Sequence, residues 1–311
     1  MGKKANWKKH PAILAMHTKT ELARFVAGLF DAEGGYARLG IARETFHQFI
    51  DRVGRQYREN PYHNFHHAVD TVHTVKWLIE QPVLSKSLPD THRFLLMLSA
   101  LIHDLGHPGT NNQWEVQTDS SLARRYENNS VLEHNSFDQT MRLVEDPACN
   151  FFAGLPPAQV QAWWAIVEEL VLATDFALHR EFLDGFTEYL SHNPMDFSDP
   201  KCLSWVSRAL IKCADIANTA KPFAEAKAWG QRVMLEFWSQ GVQEKERKLP
   251  VGPLNDPEKV KMNAAQAGFI KFAALELFEI VSKIEPEMTL MVENLQTNLA
   301  YYEEMAQQDG E

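Results

Sequence analysis

An apolar run ends abruptly in imidazole and carboxylate at Leu101-Ile102-His103-Asp104-Leu105-Gly106-His107-Pro108-Gly109, a pattern whose first chemical reading is metal binding. The residues from Phe94 to Ile102 are almost all apolar, so the segment delivers His103 and Asp104 into the interior. A buried carboxylate needs a partner, because removing an unpaired charge from water is costly. Neighbouring side chains on a helix point about 100° apart, so His103 and Asp104 grip one cation only with backbone distortion or a second metal. Gly106 and Pro108 supply such irregularity. His63 and His67 lie four apart, with Asp70 near the same face, and the expectation is one helix presenting both imidazoles in one direction. The competing reading is a set of capped or solvent-facing histidines on a segment that also holds His66 and His73. Asp215 sits in the otherwise apolar stretch Leu203 to Ile216 and requires a cation, either Lys212 or Lys221 or a metal. Together these residues suggest a nitrogen and oxygen site without sulfur, suited to zinc where nitrogen dominates and to magnesium or manganese where oxygen and water do.

The elements that must position them read as helices. Helical spacing runs through Glu21–Leu29 and Ile41–Arg55 around a Gly34-Gly35 break, then through Tyr62–Ile79 until Gln81-Pro82. Asp90 or Thr91 is expected to cap the helix leading to His103. Gly109–Ser130 reads as a polar surface connection, and Val131–Leu143 as a helix ending before Asp146-Pro147. Pro156-Pro157 opens a helix that runs to Thr174-Asp175, and the polar stretch containing Asn193-Pro194 and Asp199-Pro200 reads as a loop. Further helices are expected at Leu203–Asn218, from Pro222 to a glycine cap at Gln240-Gly241, at Met262–Ile284 and at Met288–Met305. Lys248–Pro257 is a loop. The expected fold is all-α, a compact multi-helix arrangement forming one domain over 1–311, with no internal repeat.

At 311 residues with 45% hydrophobic content, the chain buries a core without disulfide staples. Three scattered cysteines, Cys149, Cys202 and Cys213, fit a reducing compartment, and a cytoplasmic location is expected. No apolar run approaches a membrane span. The opening from Met1 to Trp7 lacks a signal-peptide core, and Asn6 stands where a myristoylation start places Ser or Thr. A net charge of -10 argues against a nucleic-acid polymer as partner, while a small anionic substrate fits a local cationic cleft made by metals.

In order and spacing, Tyr62-His63-Asn64-Phe65-His66-His67-Ala68-Val69-Asp70, the His103–Gly109 segment, Ala173-Thr174-Asp175, Ala214-Asp215-Ile216-Ala217-Asn218, Lys221-Pro222 and Gln266-Ala267-Gly268-Phe269 resemble the catalytic domain of class I cyclic nucleotide phosphodiesterases. The resemblance is strongest over residues 55–285. It implies a tightly held Zn2+ on His67, His103, Asp104 and Asp215, and a second metal, Mg2+ or alternatively Mn2+, reached by Asp104. It further implies that His107, Glu133 and Asp175 orient ligands and water. A hydroxide bridging the metals would attack phosphorus, with His63 as general acid and Glu236 as the partner keeping its ring charged. For the base, the resemblance implies Gln266 hydrogen-bonding and Phe269 stacking, Val233 as the opposite wall, and Tyr62, Asn218, Trp229, Met234 and Phe237 around the pocket.

The implied activity is hydrolysis of a 3',5'-cyclic nucleotide to the 5'-monophosphate, with cAMP preferred on Asn218 and cGMP open. The resemblance also leaves room for regulatory domains in a longer parent chain and for a homodimer. Gly106, Asn135, Lys212 and Val242 depart from residues frequent in that family. Alternatives are an HD-type hydrolase of another phosphate ester, or a non-catalytic module that binds cyclic nucleotides.

Overall fold

In the computed structural model the described residues are Trp7 and 11–308, so the Met1–Asn6 stretch weighed as a signal or lipid-attachment start lies outside them. In chain order the helices are α1 (Lys19–Glu33), α2 (Tyr36–Leu39), α3 (Arg43–Gln56), α4 (Phe65–Ile79), α5 (Leu84–Ser87), α6 (Asp90–Ile102), α7 (Asn112–Gln117) and α8 (Ser121–Arg125). They continue as α9 (Val131–Val144), α10 (Pro157–Leu172), α11 (His179–His192), α12 (Pro200–Ile216), α13 (Phe223–Glu246), α14 (Met262–Phe269), α15 (Leu275–Ser282) and α16 (Thr289–Gln308). There is no strand among the described residues, and the chain is all-α.

Three helices occupy the centre because their sequences are apolar on most sides. In α4 every residue except His66 and His73 is buried, and α6 is buried throughout from Phe94 to Ile102. A helix without a polar face needs neighbours all round. Accordingly α4 packs on α1, α6 and α12, while α6 also meets α10 and α12. Each begins at a defined point. The Asn64 side chain accepts from His66 N and His67 N to start α4, and Asp199 accepts from Lys201 N and Cys202 N to start α12 beside Pro200. At α6 the expected Asp90 or Thr91 cap is replaced by Pro89, which makes no side-chain capping bond; Asp90 instead opens the first turn.

Lys221 forms a fully buried ion pair with Asp70, tying α4 to the segment after α12. Lys221, one of the two lysines that could answer Asp215, is therefore committed elsewhere. Asp70, in turn, is no part of the histidine cluster.

Several boundaries differ from the sequence expectations. Gly109–Ser130 holds α7 and α8, started by Asn111 and Ser120 side chains that accept from Trp114 N and Ala123 N. Helices this short carry too little periodicity to show in a pattern. The stretch after Asp175 contains α11, whose Phe182, Leu183, Phe186 and Tyr189 are buried at helical spacing; the loop is confined to the residues around Asn193-Pro194. Gly241 does not end its helix, which continues to Glu246. A Cβ there would lie 1.8 Å from Asn255 O, so glycine serves a close approach of backbone. Met262–Ile284 is broken by a π turn at Ile270–Ala274, directly after Phe269.

The true end of α13 offers one stability prediction. Lys248 has φ +58° immediately after Arg247, and Leu249 N donates to Glu244 O at 2.9 Å. Relief of left-handed strain, about 1–2 kcal/mol, exceeds the added chain entropy of glycine, roughly 0.5–1 kcal/mol. Lys248→Gly is thus expected to raise stability by about 0.5–1 kcal/mol, read as a higher denaturant midpoint at unchanged slope.

Candidate metal centre and adjoining pocket

The ends of the three central helices deliver the predicted ligands to one place. His67 lies in the first turn of α4, His103 caps α6, Asp104 follows it, and Asp215 is in the last turn of α12. Their ligand atoms lie within 4.8 Å of one another. Asp215 Oδ1 is 2.9 Å from His67 Nε2 and 3.2 Å from His103 Nε2, and the two ring nitrogens are 3.2 Å apart. Asp104 Oδ2 is 3.1 Å from His103 Nε2 and 3.5 Å from His67 Nε2. Because the helix stops at Ile102, Asp104 turns back toward its neighbour's imidazole, which answers the objection that adjacent side chains diverge.

The local chemistry suits a divalent cation. His103 Nδ1 lies 2.9 Å from Ala100 O, so in the neutral ring it carries the proton and turns the Nε2 lone pair into the cluster. His67 Nδ1 is buried with no hydrogen-bond partner among the described residues. Burial alone would raise both carboxyls, yet the adjacent histidines hold Asp104 and Asp215 well below the ordinary carboxylate range. No lysine or arginine pairs with either among the described residues. Two half-buried carboxylates and two imidazoles therefore converge on a point that no lysine or arginine reaches among the described residues, and a metal satisfies all four.

His63 stands beside this cluster but not on α4. Asn64 is the N-cap, so the expected single helix carrying both imidazoles is corrected: His63 sits in the preceding turn, its ring centroid 5.9 Å from that of His67. The turn is shaped by a carboxylate. Tyr62 N and His63 N donate to Glu236 Oε2 at 2.9 and 3.0 Å, while Glu236 Oε1 bonds His63 Nδ1. Burial opposes a charged ring, but Glu236, Asp104 and Asp215 outweigh it and raise His63 to about 9. Burial would raise Glu236 as well, and His63 overrides it, lowering the carboxyl to about 2. His107 stacks on His63 with centroids 3.9 Å apart. Its burial and the neighbouring His63 charge lower it to about 3, and its Nδ1 accepts from Gly109 N at 3.1 Å. One ring of the stack is charged and the other neutral.

Glu133 and Asp175 border the same region. Burial, followed by the Asp175 charge, raises Glu133 to about 7, and its Oε2 accepts from Asn112 Nδ2 at 2.9 Å. Asp175 accepts from Ser130 Oγ at 2.8 Å and from Ala177 N at 2.9 Å. Sequence reasoning missed Asn60, whose Nδ2 donates to both His63 O and His107 O at 2.8 Å and so joins the two histidine loops. An asparagine before a Pro-Tyr-His turn carries no periodic signal that would single it out.

Next to the centre lies a pocket lined by Tyr62, Asn218, Val233, Met234, Phe237, Leu254, Gln266 and Phe269, among others. Every predicted base-contacting residue thus falls in one cavity. Trp229 is the exception among the wider set. It is buried against Tyr62 and His67, with centroids 5.8 and 6.3 Å away, and faces a different cavity shared with Pro11–Ala15, Lys221 and Glu225. Asn218 Nδ2 donates to Tyr62 Oη at 2.6 Å. The Gln266 amide packs on Gly230, where a Cβ would fall 3.0 Å away, and forms no protein hydrogen bond among the described residues.

Two of the departures, Gly106 and Lys212, have local reasons. Gly106 has φ +78°, and a Cβ would fall 2.0 Å from Gln139 Nε2. Lys212 donates to Ala173 O at 2.9 Å rather than pairing with Asp215. Val242 is exposed. Asn135 is buried, and nothing in the structure explains its departure.

Comparison with known proteins agrees with this geometry. The model of the family described as 3'5'-cyclic nucleotide phosphodiesterase matches residues 62–295. The chain is 33% identical over 284 residues to the high affinity cGMP-specific 3',5'-cyclic phosphodiesterase 9A of Homo sapiens, covering 88% of this chain and 47% of that protein. It is 30% identical over 257 residues to the 3',5'-cyclic-AMP phosphodiesterase 4C of Mus musculus, covering 80% and 38% respectively. The chain therefore spans about half the length of the human relative and less of the mouse one. Among solved structures, LmjPDEB1 in complex with IBMX superposes with a TM-score of 0.88 at 32% identity, covering 94% of this chain and 88% of that one. The phosphodiesterase domain of the RhoPDE fusion protein from Salpingoeca rosetta gives 0.89 at 25% identity, covering 97% and 95%. No described helix is long and apolar enough to cross a membrane. With the family match spanning most of the helices that build the centre and its pocket, the chain belongs to the 3',5'-cyclic nucleotide phosphodiesterase family.

Proposed function

We propose that this chain is one catalytic unit that hydrolyses a 3',5'-cyclic nucleotide to the nucleoside 5'-monophosphate. The observation that carries the reading is the convergence of His67, His103, Asp104 and Asp215 beside the His63–Glu236 pair. Zn2+ suits the four-ligand position with its two imidazoles, and Mg2+, or Mn2+, suits the oxygen side of Asp104. Cations held there supply Lewis acidity and neutralise the anionic phosphodiester. Glu133, Asp175 and His107 orient ligands and water around them.

The chain's own residues do the rest. Water attacks phosphorus, the bond from phosphorus to the ribose 3'-oxygen breaks, His63 gives that oxygen its proton from Nε2, since Nδ1 is held by Glu236, and the proton lost by the water restores the ring for the next turnover. Phe269 and Val233 clamp the purine, and Gln266 hydrogen-bonds its edge. The preference for cAMP rests on Asn218, whose Nδ2 is used by Tyr62, leaving its carbonyl oxygen to accept from an exocyclic amine. With no protein bond fixing it, the Gln266 amide presents donor and acceptor to either base, and the related proteins include enzymes named for cGMP and for cAMP.

The expected result is release of 5'-monophosphate from both cyclic nucleotides, with a higher kcat/KM for cAMP, abolished by a chelator and restored by Zn2+ with Mg2+ or Mn2+. Binding without metal-dependent product would support a binding module instead. Turnover of other phosphate esters but neither cyclic nucleotide would point to a different hydrolase.

A further inference from the structure

One face of α13 carries three buried polar side chains at four-residue spacing, Glu236, Gln240 and Glu244. Glu236 shapes the His63 turn. Gln240 Oε1 accepts from Asn111 N at 2.9 Å, and its Nε2 donates to Asn111 Oδ1 at 3.1 Å and Glu244 Oε1 at 2.7 Å. Glu244 is only 2% exposed, and no cationic side chain pairs with it among the described residues. The adjacent Lys245 turns instead to Asp256 and Glu258.

What answers the Glu244 carboxylate is a loop. Gly252 N donates to Oε2 at 2.9 Å, and Asn255 Nδ2 reaches Oε1 and Oε2 at 3.0 and 3.1 Å. The loop is drawn so close that the Asn255 carbonyl occupies the space a side chain at position 241 would need. Burying a carboxylate against neutral donors is costly, and an apolar residue would cover the same surface without that cost. What the arrangement secures is loop conformation. The two residues it grips bracket Leu254, a wall of the base pocket.

We propose that Glu244, acting through Gly252 and Asn255, is a positioning residue that sets Leu254 against the base and thereby sets nucleotide affinity. This rests on reading the pocket as a cyclic nucleotide site. Neither Glu244 nor Asn255 reaches the His63 turn or the metal ligands by a direct bond, so the effect belongs in KM rather than kcat.

The test is steady-state kinetics of the metal-loaded chain with cAMP and with cGMP for Glu244→Gln, Asn255→Ala, Leu254→Ala and the Asn255→Ala/Leu254→Ala double variant. Each single variant is expected to raise KM about tenfold and to keep kcat within about threefold. The double variant should be no worse than Leu254→Ala alone, because the latch acts only through that side chain. Unmoved KM, multiplying effects in the double variant, or loss confined to kcat would each overturn the proposal; the last is what general loss of folded enzyme produces. Should Glu244→Gln fail to fold, Asn255→Ala carries the test, since it leaves Gly252 and Gln240 on the carboxylate. If the wild-type chain turns over neither nucleotide, the proposed activity fails by itself. The positioning role is then judged by equilibrium binding of 5'-AMP and 5'-GMP, which Asn255→Ala should weaken and which it would leave unchanged if the role were wrong.

Discussion

Asp215→Ala is expected to strip metal from the protein and to lower turnover by about 10³-fold or more, since Lewis acidity and charge neutralisation at such centres are worth several kcal/mol. The size follows from position. Asp215 Oδ1 touches both imidazole nitrogens of the cluster, so its loss leaves Asp104 as the only carboxylate among the four ligands. The helix itself has little reason to suffer, because Asp215 lies in the last turn of α12 with a side chain still 21% exposed. Metal per chain, measured by elemental analysis beside the turnover number, separates loss of the ion from loss of the fold. A variant that kept both its metal and its rate would remove Asp215 from the centre.

His63→Ala should behave differently, lowering kcat by about 10²- to 10⁴-fold while metal content stays at the wild-type level. The ring is the proton source for the leaving oxygen, and it touches Glu236 and His107 rather than the four-ligand point. The pH profile carries a second signature. A general acid works only while protonated, so the rate falls as pH rises past its pKa, and Glu236 helps raise that pKa from the ordinary histidine range toward 9. Removing the negative charge with Glu236→Gln should therefore move the descending limb to lower pH. Full activity in His63→Ala would end the assignment.

Much of the centre was legible because its chemistry is written in rare residue types at fixed spacing. His103-Asp104 closing an apolar run, and Asp215 alone in another, stand out against their surroundings, and both surroundings proved to be central helices. The side chains that tune the site were harder to see. Asn60, Gln240 and Asn255 act through amide groups common on any surface, and Asn60 and Gln240 reach partners far away in sequence, His107 and Asn111, 47 and 129 residues apart. Fold errors have the same origin. α7 and α8 depend on capping bonds by Asn111 and Ser120, and the approach of Asn255 to Gly241 gave that glycine a role no local pattern distinguishes from a helix stop.

The ligands joined at the ends of the three central helices are separated by 36, 112 and 148 residues of chain. Loops of that size close late and slowly, after local helices have formed. During synthesis the first two histidines and Asp104 leave the ribosome long before Asp215 exists, so a growing chain holds an incomplete set of ligands and no closed chelate. The complete centre therefore reports that α4, α6 and α12 have docked, and its assembly separates a finished core from any shorter folding intermediate.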